Sequence, residues 1–238
     1  MQKDLKEHLE QSIGQSKAYR QTINNFLNRE GVLPNRNIFS MFDNIKLSDV
    51  KVILIVPSVL RPFTGLPLSL EKYNSELYYD TLTKILWSIE SEYYKSEFVD
   101  ENKYFDFSMK EWQKQGVLIL PQSLAVDTKA TVNSEKYKVG MWSYLINKIL
   151  DFISKEYPGK IYAVWDKDRI IGQTIKSIKN SPNNHYLESL DIGTSPIFNQ
   201  INKILRETNG EDAAIKWYPK YEEQELLYAD LFDSKNWY

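Results

Sequence analysis

Four short polar segments carry the residues of this chain best suited to chemistry, and each directly follows a stretch that reads as a strand. They are Pro57-Ser58, Pro121-Gln122-Ser123, Asp166-Lys167-Asp168 and Gly193-Thr194-Ser195-Pro196. A serine or glutamine tip can position a water or read a hydrogen-bonding edge. Two aspartates after a strand could hold a metal, although Lys167 and Arg169 beside them suit a capped, ion-paired helix start equally well. Ser195 is a good N-cap, and Pro196 suits a first helical position because its missing amide hydrogen would be unpaired there anyway. With Gly193 in front, such a helix start could present backbone amides to a phosphate, or it could be an ordinary helix start. His8 lies in a charged, helical stretch and His185 in the turn-like "NNHY". The sequence has no glycine-rich phosphate loop, no G-x-S-x-G elbow and no H-x-x-x-H pair.

The elements that must position these tips follow from hydrophobic periodicity. Residues 3 to 29 carry Leu5, Leu9, Ile13, Ile23, Phe26 and Leu27 at helical spacing, with Gly14 as a weak point, which predicts one or two helices. Residues 31 to 45 read as a connector with aromatic anchors. Strands are expected at 50 to 56, at 116 to 120 (ended by Pro121), at 160 to 165 and at 185 to 192. Helices are expected at 76 to 94, at 141 to 157 (closed by Pro158-Gly159), at 167 to 178 and at 195 to 210. Strands alternating with helices imply a parallel sheet covered on both faces. The expected fold is α/β: a three-layer α/β/α sandwich around a central four-stranded, mostly parallel sheet. Residues 1 to 45 read as a helical extension packed on a main domain spanning 46 to 238. In such sheets the ligand crevice lies outside the carboxyl ends of the strands, where all four polar tips fall.

Composition bounds the function class. The 238 residues are 42% hydrophobic and 13% aromatic, enough for one sizeable core. A net charge of -2 announces no global field for nucleic acid, but leaves room for a local basic patch. Without cysteine, disulfides and thiolate metal sites are excluded. The charged "MQKDLKEHLEQS" has no apolar signal core, and the longest apolar run is too short to span a bilayer. A soluble, cytoplasmic, monomeric protein without a cofactor is expected.

The order of the segments resembles the uracil-DNA glycosylase superfamily. "WQKQGVLILPQSLAV" (112 to 126) is similar to that family's W-A-x-Q-G-V-L-L-L-N-x-x-L-T-V. "LSDVKVILIV" resembles the strand that leads into its G-Q-D-P-Y-H water-activating loop, and "GLPLS" (65 to 69) its G-L-C-F-S. "SEKYKVGMW" is similar to S-H-x-x-x-G-W with one residue inserted, "YAVW" to the L-L-W strand, and "GTSP" falls where H-P-S-P belongs. "FNQINKIL" matches F-x-x-x-N-x-x-L and "IKWYP" matches I-x-W. The correspondence runs in order over about residues 47 to 219.

The departures fall on the family's working residues. The resemblance puts Ser58 where the family has its water-supporting carboxylate, and Leu60 where a tyrosine excludes the thymine methyl. Leu68 takes the place of the phenylalanine that stacks on uracil, and Pro121, with Gln122 next to it, that of the base-reading asparagine. Gly193 stands for the histidine that stabilises the leaving base, and Glu135 for the histidine of S-H. A pocket relieved of tyrosine, phenylalanine and histidine bulk suits a larger base, such as a hypermodified cytosine of phage DNA excised in antiviral defence. That reading assigns DNA as the partner. It makes Asp127, Glu135 and Ser58 candidates for catalysis, and Asp191 a further acid. Gln122, Ser123, Leu60, Leu68 and Gly193 would line the base site; Arg61, Lys129, Lys167, Thr194 and Ser195 would meet phosphates. Loss of the family carboxylate and histidine together supports a second reading: a non-catalytic, DNA-binding scaffold or accessory protein.

Overall fold

The computed structural model describes residues 3–14, 16–33, 38–43, 45–57, 67–69, 81–93, 105–127, 132–165, 178–179, 183–189 and 196–218. Two helices open the chain, α1 (Lys3–Gly14) and α2 (Lys17–Leu27), separated just after Gly14 as the sequence suggests. Ser16 caps α2, its hydroxyl accepting from the Tyr19 amide at 3.2 Å. Next come β1 (Val32–Leu33), β2 (Val52–Val56), α3 (Thr81–Tyr93), α4 (Lys110–Lys114), β3 (Val117–Pro121) and β4 (Val126–Asp127). The long α5 (Val132–Glu156), β5 (Ile161–Val164), β6 (His185–Glu188) and α6 (Ile197–Asn209) follow.

The central sheet has the order β3-β2-β5-β6, and every neighbouring pair is parallel. Alternate side chains of its strands point to opposite faces. Val52, Leu54, Val56, Val117, Ile119, Ile161 and Ala163 meet Leu82, Ile85, Leu86 and Ile89 of α3 and Phe198, Ile201 and Leu205 of α6. Ile53, Ile55, Leu118, Leu120, Tyr162 and Val164 meet Trp142, Leu145, Ile146, Ile149 and Ile153 of α5. Leu5, Leu9, Ile23 and Phe26 of α1 and α2 join this second cluster. Both faces are therefore covered, which is why β2, β3 and β5 read as unbroken apolar runs rather than alternating ones, while the edge strand β6 is half-exposed.

Several expectations change. The helix expected from 141 begins at Val132, because Gly140 does not break it. A mid-helix glycine costs about 1 kcal/mol, which the buried face from Trp142 to Ile153 offsets. The segment 31 to 45 is more than a connector: β1 pairs antiparallel with β4, Val32 opposite Asp127 and Leu33 opposite Val126. Two-residue strands are too short for periodicity to reveal. The segment continues into a 3₁₀ turn at Ser40–Phe42, where Met41 and Phe42 are buried. Pro121 is the last residue of β3 and lies within its ladder, opposite Val56. Since β3 is an edge strand and the Gln122 amide makes the inward bond, the missing proline donor faces away from the sheet and costs nothing. The described part of the fourth strand ends at Glu188, with 190 to 192 outside the described residues. The helix expected at 167 to 178 lies almost wholly outside them.

Candidate active site

Parallel pairing brings all four strand carboxyl ends to one edge of the sheet. The ladder runs one peptide beyond the strands: the Gln122 amide donates to Val56 O at 2.7 Å, Trp165 to Ile55 O at 2.9 Å and Ser189 to Val164 O at 2.9 Å. These peptide bonds fix where each following loop departs. Gln122 is fully buried at this edge (0% exposed), with Ser123, Ser189 and Trp165 also buried. The Ser123 hydroxyl donates to Ala125 O at 2.9 Å, so it shapes the turn from β3 into β4. Leu68 is buried in the same cluster as Val56 and Trp165, with φ of 64°. A left-handed leucine is strained by roughly 1–2 kcal/mol and persists only where the surroundings dictate it.

The segments behind this edge lock to one another. Trp112 Nε1 donates to Trp217 O at 3.0 Å, and the two indoles meet edge to face at 5.2 Å. Asn202 of α6 grips the peptide of Ile215 from both sides, accepting from its amide at 2.8 Å and donating to its carbonyl at 2.9 Å. Gln115 does likewise to Lys216, at 2.7 and 3.0 Å. Phe198 packs on Trp217 with ring centroids 4.8 Å apart. The sequence segments around Trp112, Phe198, Asn202 and Trp217 are thus one tertiary unit.

No family model matches the chain. A uracil-DNA glycosylase of Mycoplasmopsis pulmonis is 28% identical over 196 residues, which cover 76% of this chain and 80% of that protein. A uracil-DNA glycosylase of Pseudomonas fluorescens is 30% identical over 118 residues, 46% of this chain and 48% of that protein. The crystal structure of mimivirus uracil-DNA glycosylase superposes with a TM-score of 0.65 over 91% of this chain and 87% of that one, at 11% identity. The chain is thus similar in sequence to uracil-DNA glycosylases and shares their fold.

The described motif residues that carry this similarity are ones that pack. Gly116 illustrates this. Its φ is +93°, and a Cβ there would stand 2.6 Å from the carbonyl oxygen of Asp49, so only glycine fits. Of the candidate site residues, Gln122 and Ser123 follow β3 at the carboxyl edge, and Leu68 is buried in the cluster on the α3 and α6 face. Asp127 is the last residue of β4, half-buried and paired with Val32 on the side of the sheet that carries α5. Glu135 lies in the first turn of α5, within the helix and not in a loop. Ser58, Leu60, Arg61, Lys129, Lys167, Asp191, Gly193, Thr194 and Ser195 lie outside the described residues.

The helix start after 193 to 195 differs from the expectation. Pro196 (φ -73°, ψ 66°) is the cap and not the first helical residue, and its carbonyl accepts from the Gln200 amide at 3.0 Å. The amide of Asn199, three residues in, already donates to Glu92 Oε2 of α3 at 2.7 Å. Glu92 also accepts from the Ser88 hydroxyl at 3.2 Å, and its backbone carbonyl accepts from Asn199 Nδ2 at 3.3 Å. Burial pushes the Glu92 carboxyl up to about 7, against the lowering effect of these donors. A carboxylate from another helix therefore holds one of the amides that the sequence had offered to a phosphate. No local pattern signals this, because Glu92 stands 107 residues from its partner.

Proposed function

We propose that this protein is a DNA glycosylase that hydrolyses the N-glycosidic bond of a base larger than uracil and leaves an abasic site. One observation supports the glycosylase part most: four parallel strands with a shared carboxyl edge, in a chain whose curated relatives are named uracil-DNA glycosylases. The larger base is supported by the residues that replace the superfamily's own at Ser58, Leu60, Leu68, Pro121 and Gly193. A hypermodified cytosine, as in phage DNA, is the substrate class this favours, and antiviral defence the role that would follow.

The chemistry assigns a role to each residue. The target nucleotide leaves the stack, and its base is read by hydrogen bonds along its edge, with Gln122 as reader. Leu60, Leu68, Ser123 and Gly193 line the base site without an aromatic or imidazole group to fill it. Cleavage builds positive charge on the sugar, which needs a nearby carboxylate and a held water. Asp127 or Glu135 supplies the charge and Ser58 the contact to water. Arg61, Lys129, Lys167, Thr194 and Ser195 meet the phosphates.

Incubation with DNAs carrying uracil and a panel of natural and phage-type bases, scored for released base and abasic sites, tests the proposal. The expected outcome is release of a substituted pyrimidine and none of uracil. Efficient uracil release at stoichiometric enzyme would overturn the larger-base part alone. Intact DNA across the panel, with DNA binding retained, would leave a non-catalytic scaffold.

A further inference from the structure

We propose that a pocket at the opposite, amino-terminal edge of the sheet binds a phosphate group. It encloses about 700 Å³ and is lined by Lys51, Lys114, Lys160 and His185, with Asp49 among its walls. Lys51 directly precedes β2, Lys160 precedes β5 and His185 opens β6. A five-residue strand at roughly 3.3 Å per residue separates this edge from the carboxyl ends by about 16 Å, so the pocket is distinct from the base crevice.

The lysines carry the argument. Lys160 is only 9% exposed, yet among the described residues its ammonium donates to the carbonyl of Ser48 alone, at 3.2 Å. Among the described residues the Lys51 ammonium reaches the carbonyl of Ala213 alone, at 3.4 Å. Neither is ion-paired among the described residues. Burial lowers the Lys160 pKa, and the nearby charge of Asp49 restores it only in part. An ammonium desolvated with its charge only partly compensated is costly. Lys114 at the rim is paired with Glu111 and free in solvent on its other sides.

A phosphate answers this arrangement better than a single carboxylate. It brings up to two negative charges and several acceptor oxygens, matching two unpaired ammoniums and a third at the rim, and lysine serves phosphate as a point charge. A pocket of this volume falls in the range that takes a ligand the size of a mononucleotide. The phosphate could belong to a free nucleotide or to the 5′ end of a DNA strand.

Isothermal titration of the full chain with inorganic phosphate, a deoxynucleoside 5′-monophosphate and the matching nucleoside tests the proposal. The two phosphates should bind and the nucleoside should not. Lys51→Gln should weaken binding about tenfold, the scale of one hydrogen bond to a charged group. Lys160→Met should abolish it, and Lys51→Gln keeps the test decisive if the buried substitution unfolds the protein. A 5′-phosphorylated oligonucleotide that binds where its unphosphorylated twin does not would assign the phosphate to DNA ends. Binding of the monophosphate alone would assign it to a free nucleotide. No heat from phosphate at about 10 mM, or equal affinity in parent and Lys51→Gln, would overturn the site.

Discussion

The carboxylate of Glu92, at the end of α3, accepts the Asn199 backbone amide at 2.7 Å and so caps the first turn of α6 from a different helix. This ties the helix that follows the 193 to 196 segment to the opposite wall of the same sheet face. Because burial raises the carboxyl from 4.5 to about 7, the folded state holds this proton more tightly than the unfolded chain does. Its stability contribution is full below about 4.5 and is lost as pH rises through about 7. Glu92→Gln mimics the protonated form at every pH. The difference in melting temperature, variant minus parent, should therefore increase between pH 5 and pH 8. A flat difference across that window would show that Glu92 does not titrate there.

Gly116 is held at φ +93° against the backbone of Asp49. Gly116→Ala should cost about 2–4 kcal/mol, combining left-handed strain with a clash that no side-chain rotation relieves. Urea unfolding reads this directly. A loss below about 0.5 kcal/mol, the level of an ordinary surface change, would contradict the close approach.

Asn202 bonds both polar groups of the Ile215 peptide and donates to the Tyr93 hydroxyl at 2.9 Å. Removing it leaves a buried N–H and C=O unmatched, so Asn202→Ala should destabilise by about 2–4 kcal/mol. Asn202→Asp retains the acceptor for the Ile215 amide and should recover part of that loss. Equal unfolding midpoints for parent and alanine variant would show that water replaces the asparagine.

If base release occurs, a carboxylate must offset the charge that develops on the sugar. Asp127→Asn and Glu135→Gln should each leave the melting temperature close to the parent's, and at least one should lower release by about 10²–10³-fold. Full activity in both variants would shift the role to Asp191 or to water held at Ser58.

Binding to DNA should weaken steeply with added salt, since each neutralised phosphate releases counterions. Arg61→Ala should lower both the affinity and the salt slope in a filter-binding or anisotropy titration. An unchanged slope would remove Arg61 from the phosphate contacts.

Much of the framework was legible in the sequence because its causes are local. Unbroken apolar runs at 52 to 56, 117 to 121 and 161 to 164 predict strands buried on both faces, and the structure has them there. The break after Gly14 and the stop at Pro158-Gly159 were equally readable, since a glycine or proline acts on its own turn. The motif residues Trp112, Gly116, Asn202 and Trp217 carried the resemblance, and each makes a close contact in the fold: Trp112 with Trp217, Asn202 with Ile215 and Gly116 with Asp49.

Tertiary structure alone decided the rest. Nothing near 92 or 199 in the sequence says that one caps the other. Two-residue strands such as β1 and β4 exist only through each other, so no pattern within either could reveal them. Lys51 and Lys160 look like ordinary solvated charges in the sequence. They become an unpaired basic pocket only where adjacent parallel strands start side by side. Period, caps and turn residues are properties of neighbouring atoms along the chain. Capping from another helix, strand pairing and the desolvation of a charge depend on what the fold brings next to them.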